Sequence, residues 1–88
     1  MKRRSKMEIY LDVLEAVSKT SKPTRIGNQA NLSWKKTQKY LEFLERNGYV
    51  RVAKRTKSGR LEYELTKKGF ETLHALQKVA EALSPRLK

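Results

Sequence analysis

The stretch Pro23-Thr24-Arg25-Ile26-Gly27-Asn28-Gln29-Ala30-Asn31-Leu32-Ser33-Trp34-Lys35-Lys36-Thr37-Gln38-Lys39-Tyr40-Leu41-Glu42-Phe43-Leu44-Glu45-Arg46-Asn47-Gly48 decides the fold. Pro23 suits the first turn of a helix, where its missing N–H leaves no bond unmade, and that helix is expected to reach about Ala30. Asn31 and Leu32 leave room only for a tight connection. Ser33 is a good N-cap for the next helix, and Asn47-Gly48 is a C-terminal signature. Two short helices are therefore joined by a turn of only about three residues, the spacing of a helix-turn-helix unit.

Upstream, Met7, Tyr10, Val13, Leu14 and Val17 recur at helical spacing between Lys6 and Lys19, which predicts an amphipathic helix widened by Ile9, Leu11 and Ala16. Ser5 and Glu8 have the spacing of a capping box at its start. Downstream of Gly48 the period becomes alternating: Val50 and Val52 against Arg51 and, less cleanly, Ala53. Thr56-Lys57-Ser58-Gly59-Arg60 reads as a turn, after which Leu61, Tyr63 and Leu65 alternate with Glu62, Glu64 and Thr66, giving a two-stranded hairpin. Thr66 is expected to cap a last helix bearing Phe70, Leu73, Leu76, Val79, Ala80 and Leu83, with Pro85 after its end. The fold class is mainly α with a small β-hairpin (α+β), in the order α-α-α-β-β-α. The 88 residues make one domain: a basic tail over 1–5, the helix-turn-helix over 24–47, the hairpin over 49–66 and the C-terminal helix over 67–83.

The chain has 21 Lys and Arg against nine Asp and Glu, a formal net charge of +12. An excess this large predicts a polyanionic partner, nucleic acid or an anionic membrane, unless it is only a solubilising surface. Its distribution favours a partner. Lys19, Lys22, Arg25, Lys35, Lys36, Lys39, Arg46, Arg51, Lys54, Arg55, Lys57 and Arg60 are opposed within their segment only by Glu42 and Glu45. Lys2, Arg3, Arg4 and Lys6 precede any acid, while Glu8, Asp12, Glu15, Glu71 and Glu81 lie in the first and last helices. No cysteine is present, which excludes disulfides and thiolate metal sites. No apolar run reaches the roughly 20 residues of a membrane span, and no signal-peptide core follows the basic start. A membrane-surface role is disfavoured because the apolar stripes are needed for the core. A cytoplasmic, nucleoid-associated chain is expected.

On the third helix a 100° wheel gathers Trp34, Thr37, Tyr40, Leu41 and Leu44 on one side and Lys35, Gln38, Lys39, Glu42 and Arg46 on the other. The N-terminal residues of the second helix in such a unit reach base edges in the major groove. Ser33, Lys35, Lys36, Gln38 and Lys39 are therefore the candidate readers: Gln38 for adenine, the lysines for guanine or phosphate, Ser33 for a phosphate at the helix start. Glu42 repels phosphate unless paired with Arg46 one turn on, which confines base contact to the first two turns. Arg25 on the preceding helix is a supporting contact. Lys54, Arg55, Lys57 and Arg60 make the hairpin tip a flexible basic loop suited to backbone or minor groove, or to guarding a strand edge against aggregation. Trp34 reads as a packing residue rather than a base-stacking platform.

Leu73, Leu76, Ala80 and Leu83 are spaced as in a short coiled coil and are expected to contact a second copy, the alternative being the chain's own core. His74 has no partners for metal or proton chemistry, and Glu62 and Glu64 read as a solvent face. No phosphate loop, nucleophile motif or metal spacing is present. No enzymatic activity and no cofactor are expected.

Thr24-Arg25-Ile26, Ala30-Asn31-Leu32-Ser33-Trp34, Tyr40-Leu41, Leu44, Gly48-Tyr49-Val50 and Tyr63-Glu64-Leu65-Thr66-Lys67-Lys68-Gly69 together resemble archaeal winged helix-turn-helix DNA-binding proteins over residues 7 to 80. That group includes transcription regulators and small basic chromatin-associated proteins that dimerise through a C-terminal helix. The resemblance implies a recognition helix at Ser33 to Asn47 and a wing around Thr56 to Arg60. In the chromatin-associated members the last helix is a long coiled-coil arm, whereas here it ends near Leu83. The resulting expectation is double-stranded DNA binding by a homodimeric transcription regulator. The third helix would read the major groove, and the wing would hold the backbone or minor groove. Architectural binding with little sequence preference is the near alternative; RNA binding or a protein-interaction winged helix is the more distant one.

Overall fold

Local chemistry sets where each element begins and ends. The computed structural model describes residues 4–83; the expectations for Lys2, Arg3 and Pro85 lie outside the described residues. The elements are α1 (Lys6–Lys19), α2 (Pro23–Ala30), α3 (Trp34–Arg46), β1 (Val50–Arg55), β2 (Leu61–Leu65) and α4 (Lys67–Leu83), in the expected order. At α1 the Ser5 hydroxyl accepts from the Glu8 N–H at 3.1 Å, and the Glu8 carboxylate accepts from the Ser5 N–H at 2.8 Å. Two otherwise orphaned donors are satisfied by this capping box. Asn31 ends α2 in the left-handed region (φ 59°, ψ 50°), a conformation asparagine tolerates better than most side chains. Ser33 then starts α3 by accepting from the Lys36 N–H at 3.2 Å.

The core gathers Val13, Leu14 and Val17 of α1, Ile26 of α2, Leu41 and Leu44 of α3, Val50, Tyr63 and Leu65 of the hairpin and Leu73 of α4. Full burial of one such side chain contributes about 1.5–3 kcal/mol. Between α2 and α3 the approach is tightest. Thr37 is fully buried, and its hydroxyl donates to the Ser33 carbonyl at 2.8 Å, so the polar group is satisfied. A Cβ on Gly27 would stand 2.5 Å from the Thr37 Oγ1. Gly27→Ala should therefore destabilise the fold by about 1–3 kcal/mol despite alanine's better helix propensity. Thr37→Ala in the same chain should recover part of that loss. Thermal melts of the two single variants and the double variant check this; additive losses would place the close contact elsewhere.

The hairpin is antiparallel, pairing Val50 with Leu65, Arg51 with Glu64 and Val52 with Tyr63; it then slips to Lys54 with Glu62 and Arg55 with Leu61. Ala53 is the extra residue of a β-bulge. The bulge breaks the expected alternation and re-aims Lys54 and Arg55. Glu62 and Glu64 do not form a free solvent face. The Ser21 hydroxyl donates to Glu62 at 3.1 Å, Arg51 Nε donates to Glu64, and the Tyr63 N–H reaches the Ser21 carbonyl at 2.9 Å.

Residues 47–49 and 66–69 interlock. The Thr66 hydroxyl accepts from the Gly69 N–H at 3.0 Å, capping α4 as expected, and lies 2.6 Å from the Gly48 carbonyl oxygen, to which it donates. Lys68 Nζ donates to the Asn47 carbonyl at 2.8 Å while sitting 4.5 Å from the Tyr49 ring centroid. This places a cation on the last carbonyls of α3 and on an aromatic face at once. Among the described residues no helix is long and apolar enough to cross a membrane.

Candidate nucleic-acid interface

Three sides of α3 have different surroundings. Thr37, Leu41 and Leu44 face the core. Tyr40 and Phe43 turn toward α1, where Tyr10 meets Tyr40 edge-on at 5.5 Å and stacks on Phe43 at 5.2 Å between ring centroids. The remaining surface carries Lys35, Lys36, Gln38 and Lys39 in the first half and Glu42 and Arg46 in the second, all exposed, with Ser33 exposed at the start. The Ser33 oxygen accepts from the Lys36 N–H, which leaves its proton free to donate toward solvent. The Glu42–Arg46 pairing that their spacing allows is not formed: among the described residues the ion pairs are Arg4–Asp12 and Arg51–Glu64.

Trp34 departs from its expected packing role. The wheel groups it with Thr37 and Leu41, yet it is 53% exposed. It is the first residue of α3, where the helix has not yet crossed the core, and angular position alone does not report depth. Trp34, Gln38 and Glu42 instead form one wall of a cleft of about 740 Å³. Opposite stand Thr56, Ser58 and Arg60 of the wing, the start of α2 closes one side, and Leu41 and Tyr63 line its inner part. Burial, with the carboxylates of Glu45 and Glu42 adding to it, raises the Tyr63 phenol above its ordinary value of 10.0, so it is neutral at physiological pH.

Lys54, Arg55, Lys57 and Arg60 are exposed at the wing tip. The flexible loop expected there is a closed turn. The Thr56 N–H donates to the Arg60 carbonyl at 2.8 Å, the Gly59 N–H to the Thr56 carbonyl at 2.9 Å, and the Arg60 N–H to the Thr56 hydroxyl at 3.1 Å. Gly59 adopts φ 87°, which favours glycine. Arg25 is exposed on α2. Three other cations are occupied by the fold. Arg4 of the basic tail donates to Asp12 at 2.8 Å, the Ala30 carbonyl at 2.7 Å and the Asn31 carbonyl at 3.0 Å, fastening the start of α1 to the turn between α2 and α3. Arg51 is paired with Glu64, and Lys68 with the end of α3. Among the described residues, Lys35, Lys36, Lys39 and Arg46 of α3 and Lys54, Arg55, Lys57 and Arg60 of the wing form no ion pair with an acid.

The apolar strip of α4 divides. Leu73 is 5% exposed and belongs to the chain's own core, so it is not available to a second copy; Leu76 is half-buried against that core. Past this point the helix outruns the domain, leaving Val79 and Ala80 exposed and Leu83 78% exposed. Among the described residues no cluster of three or more His, Cys, Asp or Glu could hold a metal ion.

Known proteins share this architecture. A DNA-binding protein of Sulfolobus solfataricus, Sso10a-2, superposes with a TM-score of 0.80 at 28% identity, over 91% of this chain and 82% of its own. The transcriptional regulator BldR from the same organism superposes with a TM-score of 0.74 at 22% identity, over 85% of this chain and 55% of its own, a likeness of fold. An uncharacterised protein of Methanocaldococcus jannaschii is 28% identical over 85 residues, covering 96% of this chain and 81% of the relative. The winged helix-turn-helix family model matches residues 3–84. With its helix order, its α2–turn–α3 unit and its basic hairpin, the chain belongs to the winged helix-turn-helix family.

Proposed function

We propose that this chain binds double-stranded DNA as a dimeric transcription regulator. The first two turns of α3 read the major groove through Lys35, Gln38 and Lys39, with Ser33 and Lys36 at the margins. Lys54, Arg55, Lys57 and Arg60 of the wing hold the flanking backbone or minor groove, and Arg25 adds a supporting phosphate contact. The observation that carries this reading is the placement of exposed cations, free of acidic partners among the described residues, on two separate elements, the first half of α3 and the wing tip. A duplex presents its phosphates on both sides of a groove. The DNA-binding description of Sso10a-2, matched over most of both chains, supports it. The overhanging end of α4, with Leu76, Val79, Ala80 and Leu83, is the surface offered to a second copy. The four wing cations and Arg25 contact phosphate whatever the sequence, which also favours a second reading: architectural binding with little sequence preference.

Titration of a fluorescent random duplex at low salt tests the first claim, and absence of binding would sink it. Competition between genomic fragments and random duplex separates regulator from architectural protein, equal retention of all fragments excluding the regulator. On a preferred fragment, Lys35→Ala and Gln38→Ala should each lose about 5- to 100-fold and relax sequence preference. Arg55→Ala and Lys57→Ala should weaken all duplexes alike. Identical behaviour of the two pairs would contradict the assigned roles.

A further inference from the structure

We propose that Trp34 is a specificity-determining residue that packs its indole on a thymine 5-methyl group, forming with Gln38 a two-residue reader of A·T pairs; the proposal rests on the duplex-binding reading above. Trp34 is the one tryptophan of the chain and sits 53% exposed at the first position of α3. The other aromatic side chains of α3, Tyr40 and Phe43, each pack on the Tyr10 ring, Phe43 with 39% of its surface still exposed. Trp34 has no such partner among the described residues, so its exposure is unexplained by packing. Gln38 follows one turn later on the same flank, and both face the cleft that the wing closes.

The chemistry of the groove selects the target. Of the groups displayed in the major groove, only the thymine methyl is apolar, and the thymine O4 acceptor lies beside it. An indole offers an apolar face and a single N–H donor, which suits that pair of groups. Phosphate offers nothing apolar, and stacking on a base would require unstacking the duplex. A glutamine side chain pairs with adenine N6 and N7. Residues four apart on a helix are separated by about 6 Å along its axis, under two base-pair steps of ~3.4 Å, so Trp34 and Gln38 reach neighbouring pairs. Glu42, the next residue along this wall of the cleft, disfavours phosphate there, which leaves base edges as the groups presented to this flank.

The test uses the full-length chain and a duplex selected by it from a randomised 20-base-pair pool. Each thymine of that duplex is replaced in turn by deoxyuridine, which removes only the methyl group. For the unaltered chain one or two positions should each lose about fourfold in affinity, the worth of one buried methyl. In Trp34→Ala that loss should vanish at the same positions, while Trp34→Phe should retain part of it. Emission of the single tryptophan should change on binding the thymine duplex. Thermal melts of the variants should match the parent, since Trp34 lies outside the core. Indifference to every deoxyuridine replacement, or the same fourfold loss in Trp34→Ala, overturns the proposal while duplex binding stands. Failure to bind any duplex at low salt overturns the duplex-binding reading and this proposal with it.

Discussion

Gly69→Ala is expected to destabilise the domain by about 3 kcal/mol or more, although alanine at an open helix position gains up to about 1 kcal/mol over glycine. The reversal comes from what lies opposite. A Cβ at Gly69 would collide with the Tyr49 carbonyl oxygen and stand 3.2 Å from Leu65 Cδ2. That carbonyl is held by the Thr66 N–H at 3.1 Å, and the Thr66 hydroxyl lies at the same distance. Leu65 can yield by a small side-chain shift, but the Tyr49 carbonyl is backbone, so no rotamer change relieves that overlap. Relief requires α4 to withdraw from the entry to β1, which breaks the Thr66 cap and draws Leu73 from the core. A domain of this size has about 5–10 kcal/mol of total stability. The loss should lower the melting temperature by roughly 10–20 °C, followed by circular dichroism. Lys67→Ala, two residues away and exposed, should stay within about 0.5 kcal/mol of the parent. A parental melt for Gly69→Ala would show that the two segments do not meet as described.

That contact explains why two short sequence signals gain meaning together. Gly48-Tyr49-Val50 and Thr66-Lys67-Lys68-Gly69 are each common patterns, and their distance in the chain hides their relation. In the fold one caps and receives the other: Lys68 closes the end of α3, Thr66 binds the carbonyls that follow, and Gly69 lets the backbones touch. Signals settled within one or two turns were legible from the chain alone. The Ser5–Glu8 box, Pro23 at the first turn of α2, the Asn31 reversal and the Ser33 cap all act on immediate neighbours. The bulge at Ala53 was not, because alternation within β1 cannot say which residue its partner strand will skip. Depth at helix ends was equally hidden. Trp34 and Leu83 share wheel positions with core residues yet lie where the core has stopped, whereas Leu73, expected at a second copy, lies where α4 still crosses it.

Charge shows the same division between composition and placement, and it sets the second large effect. Affinity for duplex DNA should fall about a thousandfold between 50 and 200 mM salt, as expected for some six phosphate contacts per chain and a slope near −5 on logarithmic axes. The formal net charge of +12 overstates what a duplex meets. Arg4 holds Asp12 and the turn after α2, Arg51 holds Glu64, and Lys68 holds the end of α3. The exposed wing cations Lys54, Arg55, Lys57 and Arg60, with Arg25 and Lys36 or Lys39, supply about the number required. Placement, rather than the count of basic residues, then determines each variant. Arg55→Ala should make the slope shallower by about 0.9, one released counterion. Arg51→Ala removes the same formal charge yet should leave the slope unchanged, because its guanidinium already faces a carboxylate. Fluorescence anisotropy across five salt concentrations measures both. If Arg51→Ala flattens the slope as much as Arg55→Ala, the whole wing strand touches the backbone and the interface is wider than the tip. If two chains occupy one duplex through the overhanging end of α4, the parent slope should approach twice the single-chain value. Leu83→Glu, at the most exposed apolar position of that helix, should return it to the single-chain slope without disturbing the wing.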